Sequence, residues 1–329
     1  MVHIVRCDNS IVTDYYLNVI GKMLSDCGET IQDYDLNNKI CKNDIVVVAT
    51  VLDFFKMYEK GFRKIIFWMQ GIEAEESFLK HQSKLRKFVL DKLTKLALTK
   101  ASAIFYVSEA MRKYEENKFK INTKHKCFIM PCFNVSQNED LDLSDEKYKS
   151  NIFTYVGSLS KWQCFEETID FYKMIEELNP KTELRIYTFQ KMEAEKVLVE
   201  KKVKNYSIDT VPPEKVTEVL ESAKFGFVLR DDIAINNVAT PTKLSSYLSA
   251  GVIPVFSSCL TDFYEKTRDL KYVVSVEDKK VVPNKLKVMM SEKVYANEVE
   301  KEYKQLFLTY YNPKYYEKRF NKQLISLLK

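Results

Sequence analysis

The sequence predicts two successive α/β domains, each a doubly wound parallel sheet flanked by helices. Three observations predict it. Short β-branched or aromatic runs recur along the chain, longer stretches of helical spacing separate them, and one polar segment in mid-chain interrupts the alternation before it restarts. At 329 residues there is room for about two domains of roughly 150 residues each.

In the first half the strand candidates are Val2–Cys7, Asp44–Thr50, Lys64–Met69, Ala103–Ser108 and Cys127–Cys132, with helical spacing over Thr13–Cys27 and Ser77–Lys100. The stretch Asn134–Asn151 carries an acidic cluster and almost no large apolar side chains, which predicts a linker. The alternation then resumes at Ile152–Gly157, Thr182–Thr188, Asn205–Val211, Phe225–Arg230, Val252–Ser257 and Tyr272–Val276. From Val299 to Lys329 the pattern is helical, broken at Asn312-Pro313. We set the first domain at 1–138, the linker at 139–151, the second domain at 152–300 and C-terminal helices at 301–329, packing near the domain junction. Sheets of this kind bind ligands beyond the carboxyl ends of their strands, so the segments after each strand are where chemistry is expected.

Composition narrows the function. A chain 46% hydrophobic and 29% charged folds rather than stays disordered, and 51 basic against 46 acidic residues leave no global field calling for nucleic acid. Seven scattered cysteines without a C-x-x-C pair read as reduced thiols of a cytoplasmic protein. No basic-then-apolar leader follows Met1, and no apolar run approaches ~18 residues. The three histidines, His3, His81 and His125, lie far apart, and Asp231-Asp232 alone makes a poor cage, so no metal and no cofactor is expected.

The segment FGFVLRDDIAINNVATPTKLSSYLSAGVIPVF, Phe225 to Phe256, carries the main signal. A strand ends at Arg230, and Thr240 is placed to cap a helix with Pro241 at its first position that stops at Gly251. The amides and dipole of such a helix start favour an anion, and Lys243 adds a full charge. An ordinary capped helix with a solvated lysine fits the same residues. A second signal is Gly157 at the end of the strand Ile152–Gly157, followed by Ser158 and Lys161; a glycine there lets backbone pass close to a ligand. It is not a G-x-G-x-x-G fingerprint, so a dinucleotide cofactor is not supported.

These stretches resemble bacterial GT-B glycosyltransferases of the family 4 (group 1) type that build surface polysaccharides. The likeness rests on Phe227-Val228-Leu229-Arg230, Asn236-Asn237, Pro241-Thr242-Lys243-Leu244, Tyr247-Leu248, Ala250-Gly251 and Pro254-Val255, on Phe153 to Gln163, and on Phe67-Trp68-Met69-Gln70-Gly71-Ile72-Glu73 with Val107-Ser108-Glu109. It covers the second half well and the first half in patches. The resemblance implies a GT-B architecture, with two Rossmann-like domains facing a central cleft and a C-terminal helix crossing back to the first domain. It implies transfer of a sugar from a UDP- or GDP-sugar to a glycan or lipid-linked glycan, retaining and independent of metal. The donor would be held by Gly157, Ser158, Thr188, Val211, Asn237, Thr240, Pro241, Thr242, Lys243 and Ser246. Arg230, Lys161 and Glu73 would serve catalysis, and Gln70, Gly71 and Ser108 would face the acceptor. One departure stands out: where the family has two glutamates separated by seven residues, the second on the donor ribose, this chain has Val238 and Ser246. That gap keeps a non-catalytic carbohydrate-binding scaffold of the same shape open as a rival, and a nucleotide-sugar 2-epimerase is a second.

Two expectations concern side chains with competing explanations. Phe189, after the strand Thr182–Thr188, is expected to pack in the interior. Within Ser77–Lys100, Lys80, Lys84, Lys87 and Lys95 fall near one helical line while Phe78, Leu79, Leu85, Val89, Leu93 and Leu96 gather opposite as the packing side. The basic face is either simply solvated or docks the protein peripherally on an anionic membrane.

Overall fold

The computed structural model describes residues 1–6, 11–35, 41–133 and 143–328. Cys7 and residues 134–142, which include the start of the expected linker, fall outside the described residues. The chain divides into two compact units: Met1–Cys132 with Asn312–Lys329, and Phe133–Tyr311.

The first unit contains β1 (Val2–Ile4), α1 (Ile11–Ser25), β2 (Ile31–Asp33), β3 (Ile45–Val48), α2 (Val51–Glu59), β4 (Lys64–Met69), α3 (Glu73–His81), α4 (Lys84–Lys100), β5 (Ala103–Tyr106), α5 (Glu109–Phe119) and β6 (Cys127–Ile129). Its six strands are all parallel, in the order β2-β1-β3-β4-β5-β6. Central strands buried on both faces need continuous apolar runs, and Ile45–Val48 and Ile65–Met69 supply them.

The second unit contains β7 (Ile152–Val156), α6 (Phe165–Leu178), β8 (Glu183–Tyr187), α7 (Lys191–Glu200), β9 (Tyr206–Asp209), α8 (Val216–Leu220), β10 (Phe225–Val228), α9 (Ala234–Asn237), α10 (Thr242–Ser249), β11 (Ile253–Ser257), α11 (Thr261–Thr267), β12 (Val274–Val276), α12 (Asn284–Ser291) and α13 (Ala296–Leu308). Its parallel order is β12-β11-β10-β7-β8-β9. Counted within the unit this is 3-2-1-4-5-6 read from the far edge, the doubly wound arrangement whose connections reverse direction between β7 and β10. Phe153, Phe225 and Phe227 stack across that junction at 4.7 and 5.3 Å between ring centroids. The last helix, α14 (Pro313–Leu328), belongs to the first unit, where Phe320 packs edge-on against Phe105 and Phe128.

Three expectations are corrected. The pattern over Ser77–Lys100 is two helices, because Gln82 turns left-handed (φ 53) to end α3 and the Ser83 hydroxyl caps α4 by accepting from Arg86 N at 3.3 Å. With the phase reset, α4 buries Leu90, Thr94, Ala97 and Leu98, whereas Leu85 and Val89, expected on the packing side, are 75% and 48% exposed. Phe189 is 77% exposed rather than packed. β2 went unpredicted. Among the described residues no helix is long and apolar enough to cross a membrane.

Candidate functional site

The reversal point of the second sheet places the residues after β7 and after β10 side by side. Gly157 follows β7 with φ +125, a conformation that side chains rarely adopt. A Cβ there would lie 2.7 Å from Lys243 Cε and 2.8 Å from Nζ, so the absence of a side chain is what admits the lysine. Lys243 projects from the first turn of α10. The helix is fixed at its other end, where Gly251 turns with φ +67, Tyr148 Oη donates to Gly251 O (2.7 Å), and Lys147 Nζ donates to Ala250 O (2.6 Å) and Leu220 O (3.1 Å). The cap of α10 differs from expectation: Pro241, not Thr240, is the N-cap, since its ψ of 125° holds it outside the helix, and Thr240 is buried just before it.

Lys243 Nζ donates to Gln163 Oε1 at 2.7 Å and stands 4.7 Å above the Tyr155 ring. Arg230, only 5% exposed, donates through Nη1 to Gln163 O (2.9 Å) and Leu229 O (3.0 Å), and through Nη2 to the same Gln163 Oε1. Its backbone amide donates to Ser257 Oγ at 2.9 Å. Thus one neutral amide oxygen receives two cations. Among the described residues no carboxylate forms an ion pair with either one. Enclosure, and then the charge of Arg230, hold the Lys243 ammonium well below the usual lysine range, and burial lowers Arg230 as well. Asp231, the nearest acid in sequence, turns instead to Lys279, which lowers its carboxyl pKa. Buried cations without counterions are costly. The arrangement is suited to an anion arriving from solution.

Two recesses adjoin this pair. One, of about 150 Å³, is lined by Val156, Gly157, Pro213, Val216, Thr217, Leu220, Thr242, Lys243, Ser246 and Tyr247. The other, wider at about 560 Å³, includes Arg230, Asp231, Asn237, Ser257 and Lys279. Tyr247 forms the floor of the first by lying flat on Gly226, where an added Cβ would come within 2.6 Å of its ring.

Of the expected donor residues, the structure brings Gly157, Thr242, Lys243 and Ser246 together, beside Arg230, which was expected to serve catalysis, with Asn237 on the wider recess. Lys161 is exposed in the single turn Lys161–Gln163 and does not join the two cations. Ser158 is exposed, its hydroxyl hydrogen-bonded to Ser160 (3.0 Å). Thr188 is buried, its hydroxyl accepting from Gln190 N (3.2 Å), and neither it nor half-buried Val211 lines the small recess. Gln163 and Tyr155 were not singled out from sequence. Gln163 ends the turn Lys161–Gln163, and Cys164 follows with a left-handed backbone (φ 51, ψ 49) that starts α6. Among the described residues, Cys164, Glu167 and Asp231 each place a potential metal-ligand atom within 4.8 Å of the others, a grouping that the scattered histidines gave no reason to expect.

In the first unit, Gln70 is exposed and its Oε1 accepts from Thr13 Oγ1 at 3.1 Å. Gly71 leaves space for Glu76, whose Oε1 would sit 2.2 Å from an added Cβ. Glu73 Oε1 accepts from Val51 N at 2.9 Å, and so supports the N-terminus of α2. Burial pushes the Glu73 carboxyl up to about 7; the Val51 amide opposes this, while Glu76 and Asp53 add to it. Ser108 is fully buried as the N-cap of α5, accepting from Met111 N at 2.9 Å.

By sequence the chain matches no protein-family model and no curated protein. By structure it is similar to HepE of Anabaena, crystallised with UDP and glucose (TM-score 0.70, 8% identity, covering 99% of each chain), and to the sucrose-phosphate synthase of Thermosynechococcus elongatus (TM-score 0.70, 10% identity, 99% of this chain and 98% of that one). It is also similar to S. aureus TarM in complex with UDP (TM-score 0.55, 12% identity), where it covers 88% of its own length but spans only 53% of the TarM chain. With two all-parallel six-stranded sheets and these neighbours, the chain has the GT-B fold, built of two Rossmann-like units.

Proposed function

We propose that the protein is a glycosyltransferase that moves a sugar from a nucleoside-diphosphate donor to a glycan or lipid-linked glycan. The observation that carries this is the pair of cations, buried Arg230 and half-buried Lys243, meeting on Gln163 Oε1 at the reversal point of a doubly wound sheet, with no carboxylate among the described residues to neutralise them. A diphosphate completes that charge balance, and the small recess beside it takes the nucleoside. As the glycosidic bond breaks, negative charge grows on the departing diphosphate. Cations fixed in place stabilise that charge without reorganising, a task that other sites give to a metal. We assign retention of configuration on the resemblance, with the leaving phosphate taking the acceptor proton. Glu73, whose carboxyl titrates close to neutrality, is our candidate for orienting the acceptor hydroxyl.

The test is a thermal-shift panel of UDP, GDP and their sugars, followed by donor hydrolysis without acceptor. A ligand bound only by the folded state raises its melting temperature. Stabilisation together with release of the free sugar supports a transferase. Epimerised donor would replace this reading with an epimerase, and no response to any nucleotide would leave a scaffold.

We place the acceptor side at an anionic membrane surface. On α4, Leu85, Phe88 and Val89 are 75%, 58% and 48% exposed among exposed Lys84, Lys92 and Lys95, and on α2, which packs beside α4, Leu52 and Phe55 are exposed too. Apolar side chains ringed by lysines suit the interface of an acidic bilayer. Flotation with phosphatidylglycerol vesicles at low salt should carry the protein upward, and Leu85→Glu/Phe88→Glu should leave it at the bottom. Equal flotation of both proteins removes α4 from the contact.

A further inference from the structure

The recess beside Lys243 has an unusual polar inventory for a nucleoside site. Among the described residues its polar side chains are the hydroxyls of Thr217, Thr242 and Ser246, the Tyr247 phenol and the ammonium of Lys243; none is a carboxylate or an amide. Ser246 stands four residues, about 6 Å, beyond Thr242 on α10. It is therefore the next position met by a chain that leaves the cation pair and enters the recess, which is where the pentose of a nucleotide would lie. We propose that this site does not read the pentose 2′-hydroxyl and accepts 2′-deoxynucleoside diphosphates about as well as ribonucleoside diphosphates. This rests on the nucleotide reading given above.

The reason lies in what a missing hydroxyl leaves behind. A site that recognises a sugar hydroxyl with a buried carboxylate rejects the deoxy analogue strongly, because an acceptor stripped of its partner stays desolvated. Ser246 does not meet that fate. Its hydroxyl donates to Thr242 O at 3.4 Å within its own helix, so the proton keeps an acceptor whatever the pentose carries. Apart from Lys243, which the diphosphate engages, the remaining contacts to a 2′-hydroxyl are neutral and worth about tenfold in affinity or less. Grip on the ligand comes from the diphosphate end, where Arg230 and Lys243 stand, and both ligands present that end identically.

Calorimetry with UDP and 2′-deoxy-UDP on the full chain tests this. Dissociation constants within about tenfold of each other support the proposal. UDP binding with deoxy-UDP weaker by roughly 30-fold or more overturns it while leaving the nucleotide site intact. Binding of neither ligand to folded protein defeats both the nucleotide reading and this inference. Ser246→Ala supplies a second check: it should shift both affinities equally and little, whereas a tenfold loss for UDP alone would show that the serine does read the 2′-hydroxyl.

Discussion

Replacing Lys243 by Met is expected to weaken UDP binding about 100-fold while leaving the unliganded protein at least as stable as before. The two halves of this result have one cause. A charge-assisted contact to phosphate is worth roughly 1.5–3 kcal/mol, and losing it in an enclosed site falls at the upper end. In the free protein the same charge is poorly compensated: desolvation and the neighbouring Arg230 outweigh its hydrogen bond to a neutral amide oxygen and its contact with an aromatic ring. Met keeps the volume and removes the penalty. The pH dependence follows with a definite sign. Folding lowers the lysine's pKa from its ordinary 10.5, so the charged form is disfavoured in the native state and the stability of the free protein rises as pH climbs from the lowered value towards 10.5. Lys243→Met should flatten that rise. Bound diphosphate favours the charged form, so UDP should bind with proton uptake where free Lys243 is neutral, and affinity should fall with pH. Calorimetry over a series of pH values up to 10.5, each in two buffers of different ionisation enthalpy, reads this directly. Identical heats in both buffers would mean that Lys243 does not change protonation on binding.

How much of this site was legible in the sequence depends on how local each feature is. Lys243 and Gly157 were legible because each is tied to a strand end by a few residues, and strand ends are marked by the apolar runs that precede them. Gln163 was not. Its amide reaches both cations from a single turn that Cys164 closes with a left-handed backbone, which nothing in the letters Lys-Trp-Gln-Cys announces. The same contrast runs through the fold. Val46 to Val48 and Ile65 to Met69 declare buried strands, whereas β2 is three residues at a sheet edge, Ile31–Asp33, with one apolar side chain to signal it. The face of α4 was misjudged for a related reason: a helical phase carried across Ser77–Lys100 fails once Gln82 and Ser83 restart it, and every residue beyond the break rotates to another side. Phe189 escaped for the opposite reason, since a ring after a strand packs by default and only the position of its neighbours could show it 77% exposed. Parallel, doubly wound sheets were expected from the sequence, but which strands meet at the reversal, β7 and β10, was not read, and it is what makes Arg230 and Lys243 neighbours of Gly157.

Gly157→Ala should cost almost as much affinity for UDP as Lys243→Met does, for a reason that a double-mutant cycle can separate from plain destabilisation. The new methyl would stand 2.7 Å from Lys243 Cε and 2.8 Å from Nζ. Because these atoms are the far end of a flexible side chain, the clash is relieved by swinging the ammonium away from Gln163, at little expense in stability but at the expense of the anion site. The backbone makes a separate demand: φ +125 is strained for alanine, which costs about 1–3 kcal/mol whatever Lys243 does. Stability effects of the two substitutions should therefore add, while their binding effects should not, since a displaced lysine and an absent one fail the diphosphate alike. Gly28→Ala serves as the control for strain alone. Gly28 also has positive φ, at +92, but its added Cβ meets nothing within 4 Å, so that variant should lose stability and bind UDP as before. If Gly157→Ala instead loses stability yet retains UDP affinity, Lys243 can move without consequence, and the diphosphate must be held elsewhere.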